Sequence, residues 1–99
     1  MIVVAGRIAV KPESRAEAVT LAREVSAATR QEAGCLSYRF YADLDDPNRF
    51  FIFEEWVDAA ALEAHFSMPH MTTFLAKAPA LIASPPEITR YEIAASAPM

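Results

Sequence analysis

The 99 residues suffice for one domain, 54% of them are hydrophobic, and nine basic against thirteen acidic side chains leave a net charge of −4. The basic residues run from Arg7 to Arg90 without forming a block, which argues against a nucleic-acid partner and against an anionic membrane surface. Cys35 stands alone, so no internal disulfide forms and a cytoplasmic setting is expected; no stretch approaches the ~20 apolar residues of a membrane span, and Met1–Val10 lacks the basic start of a signal peptide.

Ile2–Val10 is rich in β-branched residues and predicts a first strand, apolar on its even positions and largely so on its odd ones. From Ser14 the period becomes helical, with Ala18, Leu21, Ala22, Val25, Ala28 and Thr29 on one stripe and Gly34 placed for the left-handed residue after the helix. Glu32 continues that stripe, and a frayed last turn that lets it reach water is the expectation. Cys35–Asp43 and Arg49–Val57 predict a hairpin around Leu44-Asp-Asp-Pro-Asn48. Phe50, Ile52, Glu54 and Trp56 share one face of its second strand; Phe51, Phe53, Glu55 and Val57 share the other. Asp58 is placed to cap a short helix, Ala59–Phe66. A further helix starts at Pro69 and runs to about Ala78 with Met71, Phe74, Leu75 and Ala78 as its stripe, and Glu87–Ile93 predicts a last strand.

The order β-α-β-β-α-(α)-β predicts an α+β, ferredoxin-like domain: a four-stranded antiparallel sheet with helices on one face. Both faces of the strands are apolar, so the helix-free face needs a cover, and a second copy of the chain is the expected one. One domain over residues 1–99, with its core over about 2–94, is the expected organisation.

The candidates for chemistry gather between Glu54 and His70. Taken singly, each has a plain structural explanation: carboxylates near a strand end face solvent, and a Trp there belongs to the core. A metal site is not expected, because a single helix would not bring His65 and His70 to one side and neither HExxH nor CxxC occurs. Gly6 and Gly34 are the only glycines, which leaves no phosphate-cradling loop and no dinucleotide fingerprint, and Cys35 has no neighbouring base. An apolar cavity between sheet and helices remains, with His65, Glu54, Tyr38 and His70 converging on it. Such a cavity suits a flat, apolar, ionisable molecule.

Three segments in order carry a resemblance: Glu32-Ala-Gly34-Cys35, Phe53-Glu54-Glu55-Trp56, and Leu62-Glu-Ala-His65-Phe-Ser-Met-Pro69-His70-Met71. The chain over about residues 1–94 resembles the antibiotic biosynthesis monooxygenases, most closely the small quinol monooxygenases. The resemblance implies a dimeric α+β barrel and oxygenation of a quinol, phenol or polycyclic aromatic by O2 with no cofactor. It also implies that Trp56 is a pocket wall and that His65 is the polar group touching substrate. The candidate catalytic residues are then His65, Trp56 and Glu54, with Tyr38, His70, Met71, Phe74 and Leu75 around the substrate and no metal ligand. Haem-degrading relatives carry other residues at the positions of Gly6, His65 and Leu75. An isomerase acting on a small hydroxyketone or signalling sugar and a non-catalytic dimeric binding module are the alternative readings.

Overall fold

In the computed structural model, which describes residues 1–99, the chain begins with strand β1 (Ile2–Ala9). Lys11 leads into a 3-10 turn, Pro12–Ser14, from which helix α1 (Arg15–Thr29) continues. Strands β2 (Cys35–Ala42) and β3 (Arg49–Trp56) form the hairpin. Helices α2 (Ala59–Phe66) and α3 (Pro69–Lys77) follow, and Ala78–Ala80 turns as a 3-10 segment before β4 (Glu87–Glu92). The sheet order is β2-β3-β1-β4, antiparallel throughout, as in a ferredoxin-like fold.

The period of two along the strands decides what lies under the helices. Trp56 pairs with Ile2, Glu54 with Val4, Ile52 with Gly6 and Phe50 with Ile8, and these positions form the covered face. Ile2, Val4, Ile52 and Trp56 pack there against Val25 of α1, Leu62 of α2 and Met71 of α3, with Trp56 wholly enclosed. The other face has no helix on it. Phe51, Tyr41 and Tyr91 are exposed there, beside half-buried Val3, Ala5 and Phe53. Trp56 thus faces the helices and Glu55 the open side, as the alternation requires.

Two glycines are dictated by close approach. A Cβ on Gly6 would lie 2.4 Å from the Glu87 carbonyl oxygen, so β4 can pair with β1 only past a residue without a side chain. Gly34 has φ +84°, and a Cβ there would meet the Ala61 side chain at 2.6 Å. That left-handed residue stops the turn after α1 and seats it against α2. Asp58 accepts a hydrogen bond from the Ala61 amide at 2.8 Å and fixes where α2 begins.

Candidate active site

α1 ends at Thr29, and the next five residues turn back to the start of β2. The side chain of Glu32 points inward from that turn and is only 5% exposed. It meets two histidines. His65, from the last turn of α2, places Nδ1 2.7 Å from Glu32 Oε2; His70, from the first turn of α3, places Nε2 2.7 Å from the same oxygen. Ser67 and Met68 separate the two helices, and Pro69 opens the second, so imidazoles five residues apart come from different axes. The expectation that Glu32 reaches water is therefore corrected: the helical stripe it continues is a buried one. So is the expectation that the two imidazoles stay apart, because they belong to two helices rather than one.

As a carboxylate Glu32 can only accept, so both rings donate to it. In the neutral imidazole this puts the proton of His65 on Nδ1 and leaves the lone pair on Nε2. That nitrogen is buried and has no hydrogen-bond partner within the protein; neither does Glu32 Oε1. The ring lies close to Trp56, with centroids 4.9 Å apart, and to Tyr38, at 5.6 Å. The outcome is an imidazole held by a carboxylate among aromatic side chains.

The same three residues bring their donor atoms within 4.8 Å of one another, close enough to consider a metal ion. Ligand atoms around a tetrahedral zinc sit about 3.3 Å apart, as follows from zinc–nitrogen and zinc–oxygen bonds near 2.0–2.1 Å. Both contacts on Glu32 Oε2 are 2.7 Å, the length of a charge-assisted hydrogen bond. The arrangement as it stands is a hydrogen-bonded triad.

Glu54 lies next to this triad under the helices, 8% exposed, and its Oε1 accepts from the Trp56 indole N–H at 3.0 Å. Burial first, and then the charge of Glu32, push its carboxyl up to about 7 against the indole hydrogen bond, which lowers it. Tyr38 is held well above the usual phenol range, first by burial and then by the charges of Glu54 and Glu32, so its hydroxyl stays protonated. Burial likewise raises the Cys35 thiol, helped by Glu32 and Glu54, which removes it as a nucleophile at neutral pH.

The apolar cavity expected between sheet and helices exists, but it lies beyond the triad. Its eleven lining residues are all hydrophobic, among them Ile8, Leu21, Phe40, Phe50 and Phe74, and its volume is about 50 Å³. A row of rings joins the two regions: Trp56, His65, Tyr38, Phe40 and Phe74, each 4.9–6.2 Å from the next. The expected convergence of His65, Glu54, Tyr38 and His70 on the cavity itself is corrected: none of them lines it, and Phe40 and Phe74 stand between.

A family model for antibiotic biosynthesis monooxygenases matches residues 1–77. The chain belongs to that family. The Synechocystis protein sll1783 is 45% identical over 93 residues, 94% of this chain, and the chain spans 63% of that relative's length. "Putative monooxygenase YcnE" of Bacillus subtilis is 33% identical over 94% of this chain and 98% of its own length. Among solved structures, Rv0793 from Mycobacterium tuberculosis superposes with a TM-score of 0.91 at 27% identity, covering 98% of both chains.

Within this antibiotic biosynthesis monooxygenase fold, the candidate residues divide. His65, Trp56, Tyr38, Glu54 and His70 form one polar and aromatic group, with Met71 buried against the shared core. Phe74 packs on the Phe40 side and lines the cavity. Leu75 is exposed on α3 and lies outside the lining of this cavity. Glu32 is the residue missing from the candidates. Its sign in the sequence was the apolar stripe of α1 running on to a carboxylate.

Proposed function

We propose that this protein is a cofactor-independent monooxygenase that oxidises a quinol, phenol or polycyclic aromatic substrate with O2, and that it works as a homodimer. The observation that carries the reading is the unpartnered Nε2 of His65, held by Glu32 through Nδ1 and walled by Trp56 and Tyr38. Membership of the family and the name of YcnE agree with it.

The chemistry follows from where protons and electrons go. His65 Nε2 takes the acidic proton of the bound aromatic, and Glu32 stabilises the imidazolium that results. The substrate anion passes one electron to O2, and superoxide and the substrate radical combine at carbon. Loss of water from the hydroperoxide leaves one oxygen atom as a carbonyl and sends the other out as water. The imidazolium returns its proton to the peroxide, and the four electrons that take O2 to this level all come from the substrate, two as the hydroperoxide forms and two as it loses water, so no external reductant enters. The neutral Tyr38 hydroxyl is a hydrogen-bond donor available to the developing oxyanion. Walls of aromatic and aliphatic side chains keep water from the radical pair.

Size constrains how the substrate enters. A cavity of about 50 Å³ is a third of the roughly 150 Å³ that holds benzene in a protein core, so an aromatic is seated only as Phe74 and Phe40 rotate away. The open sheet face, with Phe51, Tyr41 and Tyr91 exposed, supports the dimer: an apolar surface of this kind is stable in water once a second copy covers it.

The test is oxygen uptake with a panel of quinols and anthrones, comparing wild type with His65→Gln. Uptake by wild type that falls about 10²–10⁴-fold in the variant is expected for loss of a general base. Absence of uptake across the panel, or full activity in the variant, contradicts it. Turnover of a hydroxyketone without O2 would mark an isomerase instead.

A further inference from the structure

The arginines that are scattered in sequence are gathered in space. Arg15, Arg23 and Arg30 stand on one side of α1, eight and seven residues apart, and Arg39 borders the same groove from the β2 edge. Four of the nine basic residues of an acidic chain thus line one groove of about 440 Å³. No acidic side chain lines it, and none of the four is ion-paired. That volume falls within the range of small-molecule clefts, about 300–1,000 Å³.

Two of these arginines are held in place. The Arg15 Nε donates to the Pro47 carbonyl at 2.7 Å, and its guanidinium lies over the Phe50 ring, 5.5 Å from the centroid. The Arg30 Nε donates to the Tyr38 carbonyl at 2.9 Å. Anchoring through Nε leaves both terminal nitrogens of each fork unused, and a planar fork with free donors matches the oxygens of a phosphate. Arg23 and Arg39 make no side-chain hydrogen bond to the rest of the chain. Between the charges lie Phe40 and Phe50, so the groove joins cationic walls to an aromatic floor.

We infer that this groove binds a small phosphomonoester with an aromatic or similarly apolar body. Several guanidinium groups free of ion pairs favour a dianion over a single carboxylate, because each added negative charge meets a cation that has no acidic partner. The apolar body rests on Phe40 and Phe50, which also wall the apolar cavity. The groove is separate from the Glu32–His65–His70 triad, and the inference does not depend on the oxygenase reading. A nucleic acid would need a longer basic track than one groove on a chain of net charge −4.

Calorimetric titration with 1-naphthyl phosphate, inorganic phosphate and 1-naphthol tests it. The expected order is naphthyl phosphate bound more tightly than inorganic phosphate, with naphthol not binding at the groove. Arg23→Gln with Arg30→Gln should weaken naphthyl phosphate at least about tenfold, since each charged hydrogen bond lost is of that order. Both side chains are exposed, so the variant should keep the wild-type circular dichroism, its melting temperature lowered only by loss of the Arg30 hydrogen bond to the Tyr38 carbonyl. Naphthyl phosphate shifts in the amide NMR spectrum should fall on α1 and β2. Affinity unchanged in the double variant, shifts elsewhere on the fold, or an oligonucleotide binding more tightly than the aryl phosphate would each overturn the inference.

Discussion

Buried polar atoms in a folded chain almost always find partners, so a histidine nitrogen without one is a place where chemistry is expected. His65 is such a residue, and Glu32 explains why its free nitrogen is Nε2 rather than Nδ1. Glu32→Gln should keep the shape but lose the charge that stabilises the imidazolium. Its turnover should drop while KM stays near wild type, by less than in His65→Gln; a change confined to KM would assign Glu32 to substrate binding instead. Glu54 gives a second measurable consequence. Its carboxyl is raised in the fold to about 7, so between its ordinary value of 4.5 and 7 the folded state holds a proton that the unfolded chain releases. Stability should therefore fall as pH rises through that window, by an amount of order 3 kcal/mol at full ionisation. Glu54→Gln should remove this fall, and denaturant melts at pH 5 and pH 8 would show it. Of these residues, His65 and Glu54 were legible from motif and position. Glu32 was not placed among them, because periodicity says which side a residue faces but not that a carboxylate there has imidazoles waiting.

Element boundaries followed local chemistry closely. Asp58 and Pro69 mark the starts of α2 and α3, and the alternation of β3 separated Trp56, which lies under the helices, from Glu55, which lies outside. Asp58→Ala should cost about 1 kcal/mol, the usual worth of an N-cap, measured as a lower denaturation midpoint with unchanged slope. Two features needed the third dimension. The helical stripe of α3 included Leu75, which lies exposed because the stripe is wider than the surface that α3 has to bury. The meeting of His65 and His70 depends on the break between α2 and α3, and reading the segment as one helix would send the rings apart. Gly34 joins the levels: its left-handed φ and the lack of room for a Cβ beside Ala61 position the very turn that carries Glu32. Gly34→Ala should both lower stability and reduce turnover, whereas Asp58→Ala should lower stability alone.

At the scale of the molecule, the sheet has a helix-covered face and an open one, and the ferredoxin-like order was legible from the sequence of elements. The gathering of four arginines in one groove was not, since residues dispersed along a chain reveal nothing of the side they share. No helix is long and apolar enough to cross a membrane. The open face leads to a direct expectation. Phe51→Glu, placed opposite Arg7 on β1, should convert a dimer into a monomer in sedimentation or light scattering. A wild type that is already monomeric at micromolar concentration would contradict the homodimer.

The triad reading predicts that dialysis against EDTA leaves turnover unchanged, because the hydrogen bond donated by His65 Nδ1 to Glu32 is what holds the imidazole. The most direct measurement is the fate of labelled oxygen. Wild-type protein turning over an anthrone under ¹⁸O2 should place one ¹⁸O in the quinone product and the other in water, and His65→Gln should lose this incorporation with the rate. A product free of ¹⁸O, or equal incorporation by the variant, would contradict an oxygenase built around that histidine.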